Sequence, residues 1–147
     1  MEAANIHTQV SPSDLKDKIE GLGELEQLRI LNELIWENRH WGSGQFFDLA
    51  QLAVKLAVKN QIEIRIVDLA QAYLNLGNTA WNRSEPTVAF ETLQKSQRLF
   101  RSIGVVGKAC FAEAVMANLH SKKGEFESAF SLIFHILDEV KVLQEDE

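Results

Sequence analysis

A single cysteine, Cys110, excludes an intrachain disulfide, so the fold must be held by its core. Proline is nearly absent as well, and both copies sit where a helix would begin: Pro12 follows Ser11, and Pro86 comes two residues after Ser84, each with a serine near enough to cap. No uncharged apolar run approaches the roughly eighteen residues a bilayer span needs, because Asp48, Lys55, Lys59, Glu63, Arg65 and Asp68 interrupt the most apolar region. Strict alternation of apolar and polar residues is almost missing too, which leaves little room for strand. Positive charge is in deficit: 15 Lys and Arg against 21 Asp and Glu give a net charge of −6, with no net attraction for phosphate backbones or anionic lipid. Nucleic acid and membrane insertion are therefore not expected. The start, Met1 to Asn5, has neither a basic region nor an apolar run of signal-peptide type, and with the unpaired cysteine this points to a reducing, cytoplasmic setting.

What is present is a helical pattern. Hydrophobic residues make up 46% of 147, enough for one domain with a core. They recur at spacings of three and four, as in Leu28, Leu31, Leu34, Ile35 and in Leu49, Leu52, Ala53, Leu56. This periodicity predicts an all-α chain of about seven helices, near 12–20, 24–40, 44–59, 63–82, 86–102, 106–122 and 126–143. Residues 12–143 are read as a single helical repeat domain. Residues 1–11 lack an apolar face and are expected to be loosely ordered, and 144–147 form an acidic tail.

The second-of-pair helices share a template: Ala50-x3-Val54-x2-Ala57, Ala89-x3-Leu93-x2-Ser96 and Ala129-x3-Ile133-x2-Ile136, so that its first residue recurs after 39 and then 40 positions. A small residue followed four later by a large one suits a helix crossed closely at one point by a neighbour that fills the next groove. In the preceding helix of the middle unit, Tyr73-x2-Leu76-Gly77 is followed by Ala80 and then Ala89. The third unit carries Met116-Ala117 in place of Leu-Gly, and then the turn Gly124-Glu125-Phe126-Glu127-Ser128-Ala129.

These motifs resemble the tetratricopeptide repeat family, over residues 24 to 143. Armadillo and HEAT arrays share the period range, but the Gly-Glu-Phe-Glu-x-Ala turn favours the tetratricopeptide pattern. The first unit departs from it, with Asn38 where a small residue is preferred. The units are longer than the commonest form and look like the repeats found ahead of catalytic domains in bacterial signalling proteins such as diguanylate cyclases and sensor kinases. The resemblance implies antiparallel helix pairs stacked as a right-handed superhelix, with the first helix of each pair lining a concave groove that binds protein or peptide.

No catalytic set emerges, so the chain is not expected to be an enzyme, and no cofactor is expected. His7, His40, His120 and His135 are scattered, and none is read as a metal ligand. His120 is expected to pack between helices, and Cys110, flanked by Ala109 and Phe111, to be a small buried hydrophobe. The string Gly104-Val105-Val106-Gly107-Lys108 lacks the length and the Ser or Thr of a phosphate loop and is an inter-helix turn. Glu24, Glu26, Glu33 and Glu37 are read as a solvated face.

If the register follows the family, the groove positions are Asn32, Ile35 and Arg39 in the first unit, Gln71, Leu74, Asn78 and Trp81 in the second, and Phe111, Ala114, Asn118 and Lys122 in the third. Asn78 and Asn118 are equivalent amides suited to pair with an extended peptide backbone, while Leu74, Trp81 and Phe111 would be apolar anchors. A two-carboxylate clamp of the kind some members carry is incomplete, since Phe111 and Val115 stand where cations are preferred. The expected role is the input or scaffolding module of a signalling protein, whose partner is a peptide, its own C-terminal domain or a second copy. The alternatives are a free-standing adaptor or chaperone, and a homodimer formed through the unpaired face of the last helix, where Ile133, Ile136, Leu137, Val140 and Leu143 recur at helical spacing.

Overall fold

The structure, a computed structural model, describes residues 9–40 and 42–145. Among these the chain is all-α: seven helices, one short 3-10 turn and no strand. The helices are α1 (Pro12–Ile19), α2 (Glu24–Glu37), α3 (Phe47–Lys59), α4 (Ile66–Asn82), α5 (Pro86–Ser102), α6 (Val106–Lys122) and α7 (Phe126–Glu145), with the 3-10 turn at Ser43–Phe46 leading into α3.

The first helix starts as its sequence requires. Ser11 accepts a hydrogen bond from the Asp14 amide at 3.1 Å, and the Asp14 carboxylate accepts one from the Ser11 amide at 3.3 Å, closing a reciprocal cap ahead of Pro12. The second proline behaves differently. Ser84 is not a cap for α5; it lies at φ 63°, in the left-handed region, and closes α4. Behind it the Glu85 amide donates to the Ala80 carbonyl at 2.9 Å. The same bond recurs from Val105 to Phe100 behind Gly104, and from Glu125 to His120 behind Gly124. Three helices in succession thus end on the same left-handed residue at a spacing of 20, with their last carbonyls satisfied by the chain that leaves. The 40-residue period contains two near-equivalent halves.

Three other helix limits differ from expectation, the first being the start of α3, at Phe47 and not 44, because Ser43–Phe46 form the 3-10 turn. The helix read as 24–40 stops at Glu37, because the Asn38 side chain donates to the Leu34 carbonyl at 2.8 Å and terminates the ladder. Asn60 does the same to Leu56 after α3, and the turn that follows delays the next helix from 63 to Ile66. At the C-terminus, Gln144 and Glu145 of the expected tail belong to α7, while 146–147 lie outside the described residues. Of the expected loose segment, residues 1–8 lie outside them as well, and Val10 is buried in the core.

Helix α4 is the centre of the packing, touching α2, α3, α5 and α6. Ala70, Leu74 and Ala80 on it are fully buried, and each buried leucine contributes on the order of 2 kcal/mol. Gly77 permits the closest approach: a Cβ built there would stand 2.5 Å from Leu93 Cγ and 3.0 Å from Thr92 Oγ1 on α5. The template residues Ala89, Leu93 and Ser96 are all buried against it, and the Ser96 hydroxyl donates to the Ala70 carbonyl at 2.9 Å. The first-of-pair helices α2, α4 and α6 touch in succession, whereas α7 rests mainly on α6.

Candidate functional site

Between α2, α4 and α6 lies an open groove of about 550 Å³. Arg39, His40, Asn78, Trp81, Asn82, Phe111 and Asn118 line it, and no carboxylate among the described residues does. Six of the eleven expected groove residues therefore meet in one place: Arg39, Asn78, Trp81, Phe111, Ala114 and Asn118. Lys122 joins them from the side, its ammonium 4.0 Å from the centre of the Trp81 ring. Asn32 and Gln71 instead line a separate hollow of about 380 Å³, with Trp36 and Lys108 between the two. Leu74 lines neither; it is fully buried and serves the core, not a ligand.

The amides divide in a way the sequence did not show. The Asn32 side chain donates to the Asp68 carbonyl at 2.9 Å, Asn75 to the Asn32 carbonyl at 3.0 Å, and Gln71 to Asn75 Oδ1 at 2.9 Å. Further along, Asn78 donates to the Arg39 carbonyl at 2.9 Å and Asn82 to Ser43 Oγ at 2.7 Å. Apart from the Gln71–Asn75 bond, which lies within α4, these contacts stitch α4 to the first unit, and Asn32, Gln71, Asn75 and Asn78 are buried. Asn78 and Asn118 are equivalent in sequence but not in environment, because Asn118 is exposed. The pairing of both with a peptide backbone is corrected accordingly: only Asn118 presents a free amide face.

Trp36, absent from the expected set, organises the wall. The Arg39 guanidinium lies 4.2 Å from the centre of its ring and donates to its carbonyl at 2.9 Å, while Phe111 meets it edge-on at 5.0 Å. Its place between Asn32 and Arg39 on the helix was the available signal. Lys108 lies 5.2 Å from the same ring and donates to Gln71 Oε1; burial first, and the nearby Arg39 next, hold its pKa below the ordinary lysine value. Trp41, next along the chain from His40, lies outside the described residues.

A second polar cluster joins α5, α6 and α7. Glu113, 2% exposed, accepts from Arg101 at 2.6 and 2.8 Å and from Gln97 at 3.0 Å; Arg101 also donates to Glu139 at 2.7 and 3.1 Å. His135 approaches Glu139 at 2.5 Å, an i,i+4 pair that the reading of scattered histidines overlooked. Cys110 is buried beside them, and burial, followed by the two carboxylates, pushes its thiol pKa up. Ligand atoms of Cys110, Glu113 and Glu139 lie within 4.8 Å of one another, but the Arg101 guanidinium already binds both carboxylates. This is an ion network that locks the end of α5 to α6 and α7. Glu24 likewise departs from the solvated-face reading: Asn60, then Lys59, hydrogen-bond to it and lower its pKa. His120 packs edge-on against Phe90 at 5.3 Å and contacts Glu125, as a half-buried inter-helix residue.

No helix among the described residues is long and apolar enough to cross a membrane. Comparison with protein-family models, with curated proteins and with solved structures returns no match to this chain. The fold and groove define an all-helical repeat protein with a cationic, aromatic-lined cleft.

Proposed function

We propose that the chain is an interaction module that holds an extended, carboxylate-bearing peptide segment in the groove between α2, α4 and α6. One observation carries this reading: in a chain of net charge −6, the groove lining holds Arg39 and His40 with no carboxylate among the described residues, beside the part-exposed rings of Trp81 and Phe111 and the free amide of Asn118. Local field and lining match a peptide that combines one or two apolar side chains with negative charge. The tetratricopeptide-like pattern of the sequence supports the same role. The input region of a signalling protein is the larger setting that the sequence resemblance suggests, without catalysis by this domain itself.

The test is selection from a displayed random-peptide library, followed by calorimetric titration of the best peptide into wild type and into Trp81→Ala and Asn118→Ala. Selected peptides are expected to be enriched in Asp, Glu or a free C-terminus, and each variant to weaken binding at least about tenfold, with the thermal melt of Asn118→Ala little changed. Full affinity in both variants, or selection of basic peptides, overturns the proposal.

A further inference from the structure

Away from the groove, the last helix carries an apolar stripe that nothing among the described residues covers. Phe126, Phe130, Ile133, Leu137 and Val140 follow one another at spacings of 4, 3, 4 and 3, and their exposures run from 39% to 57%. Their equivalents one 40-residue unit earlier show what such positions are built for: Leu93 and Phe100 on α5 are fully buried, while Ile133 and Val140 are 41% and 39% exposed. A strict 4-3-4-3 stripe is the seam of a two-helix coiled coil, narrower than the face a helix presents to a globular core.

We propose that two copies of this chain associate through α7, with the helices antiparallel about a two-fold axis at the level of His135. In that register the seam pairs with itself, Ile133 against Leu137 of the second copy and Phe130 against Val140, with Gln144 opposite Phe126 at each end. The flanking positions agree. Glu127 and Lys141, both exposed, stand on the same side of the seam one heptad either side of Phe134, so the antiparallel arrangement sets Glu127 of each copy facing Lys141 of the other. Phe134, 64% exposed, then meets its own symmetry mate on the axis. A parallel pair would leave Glu127 and Lys141 facing apolar Ala129, Ile136 or Leu143 and gain no ion pair. The area suffices: the exposed apolar side chains along the seam and its flanks amount to on the order of 600 Å² per copy, and about 1,200 Å² in the pair reaches the lower end of stable interfaces.

Sedimentation equilibrium of the full chain reads the outcome directly, against a chain mass of 16.6 kDa. A dimer is expected for wild type, and a monomer with unchanged helical circular dichroism for Leu137→Glu. Glu127→Lys is expected to raise the dimer dissociation constant about tenfold, and the double exchange Glu127→Lys with Lys141→Glu to restore it. A wild type that stays monomeric, as it would if α7 awaits a different helix, overturns the proposal. So does a Leu137→Glu chain that remains dimeric, or a double exchange no better than the single one.

Discussion

The side-chain amide of Asn78 donates to the backbone carbonyl of Arg39, 2.9 Å away and 39 residues earlier in the chain. This bond ties α4 to the end of α2 at the floor of the groove. Asn78→Ala is therefore expected to cost about 1 to 2 kcal/mol of stability, since it removes a buried side chain and leaves the part-buried Arg39 carbonyl without its partner. Asn118→Ala, on an exposed amide, should cost under about 0.5 kcal/mol. Denaturant titration of the two variants separates them, and equal stabilities would contradict the division of the amides.

Gly77→Ala is expected to destabilise by about 1 to 3 kcal/mol. The added methyl would fall 2.5 Å from Leu93 Cγ, and Leu93 is fully buried with nowhere to turn. A melting temperature equal to that of wild type would show that α4 and α5 do not cross so closely.

Ser84→Gly should stabilise by about 1 kcal/mol, because Ser84 occupies φ 63° where Gly104 and Gly124 hold the equivalent turns at 74° and 78°. The gain is read by chemical denaturation. A loss instead would mean that the serine makes a compensating contact in this turn.

Acid sensitivity follows from Glu139. Its hydrogen bond from Arg101 holds its pKa below the ordinary 4.5, so the folded state favours the ionised carboxylate. That contribution is fully present above the unfolded value and is lost as pH falls through the lowered folded value. Glu139→Gln should therefore be less stable at neutral pH yet lose less on acidification below about pH 4.5. Superimposable stability curves from neutral to acid pH would remove Glu139 from the account.

Much of the fold was legible in the sequence. Spacings of three and four, the Ser11-Pro12 start, and Gly104 and Gly124 as stops define helices by local rules, and three of the seven helices begin and end within one residue of where the pattern put them. Two of the misplaced limits came from asparagine: Asn38 and Asn60 bond back to a carbonyl four residues earlier, and a sequence pattern cannot distinguish that from an asparagine facing solvent.

The sequence by itself determined the helical class, the 40-residue period and the small residues at which helices cross, because these depend on backbone propensity and on volume at one position. Tertiary structure alone decided what each polar residue of the first-of-pair helices does. Asn32, Gln71, Asn78 and Asn118 share a face by periodicity, yet the first three are consumed in joining α2, α4 and α6, and only Asn118 faces outward. An amide satisfies a neighbouring carbonyl or a ligand with the same chemistry, so its role depends on which helix stands within 3 Å, a distance set by packing between units and not by the sequence of either one.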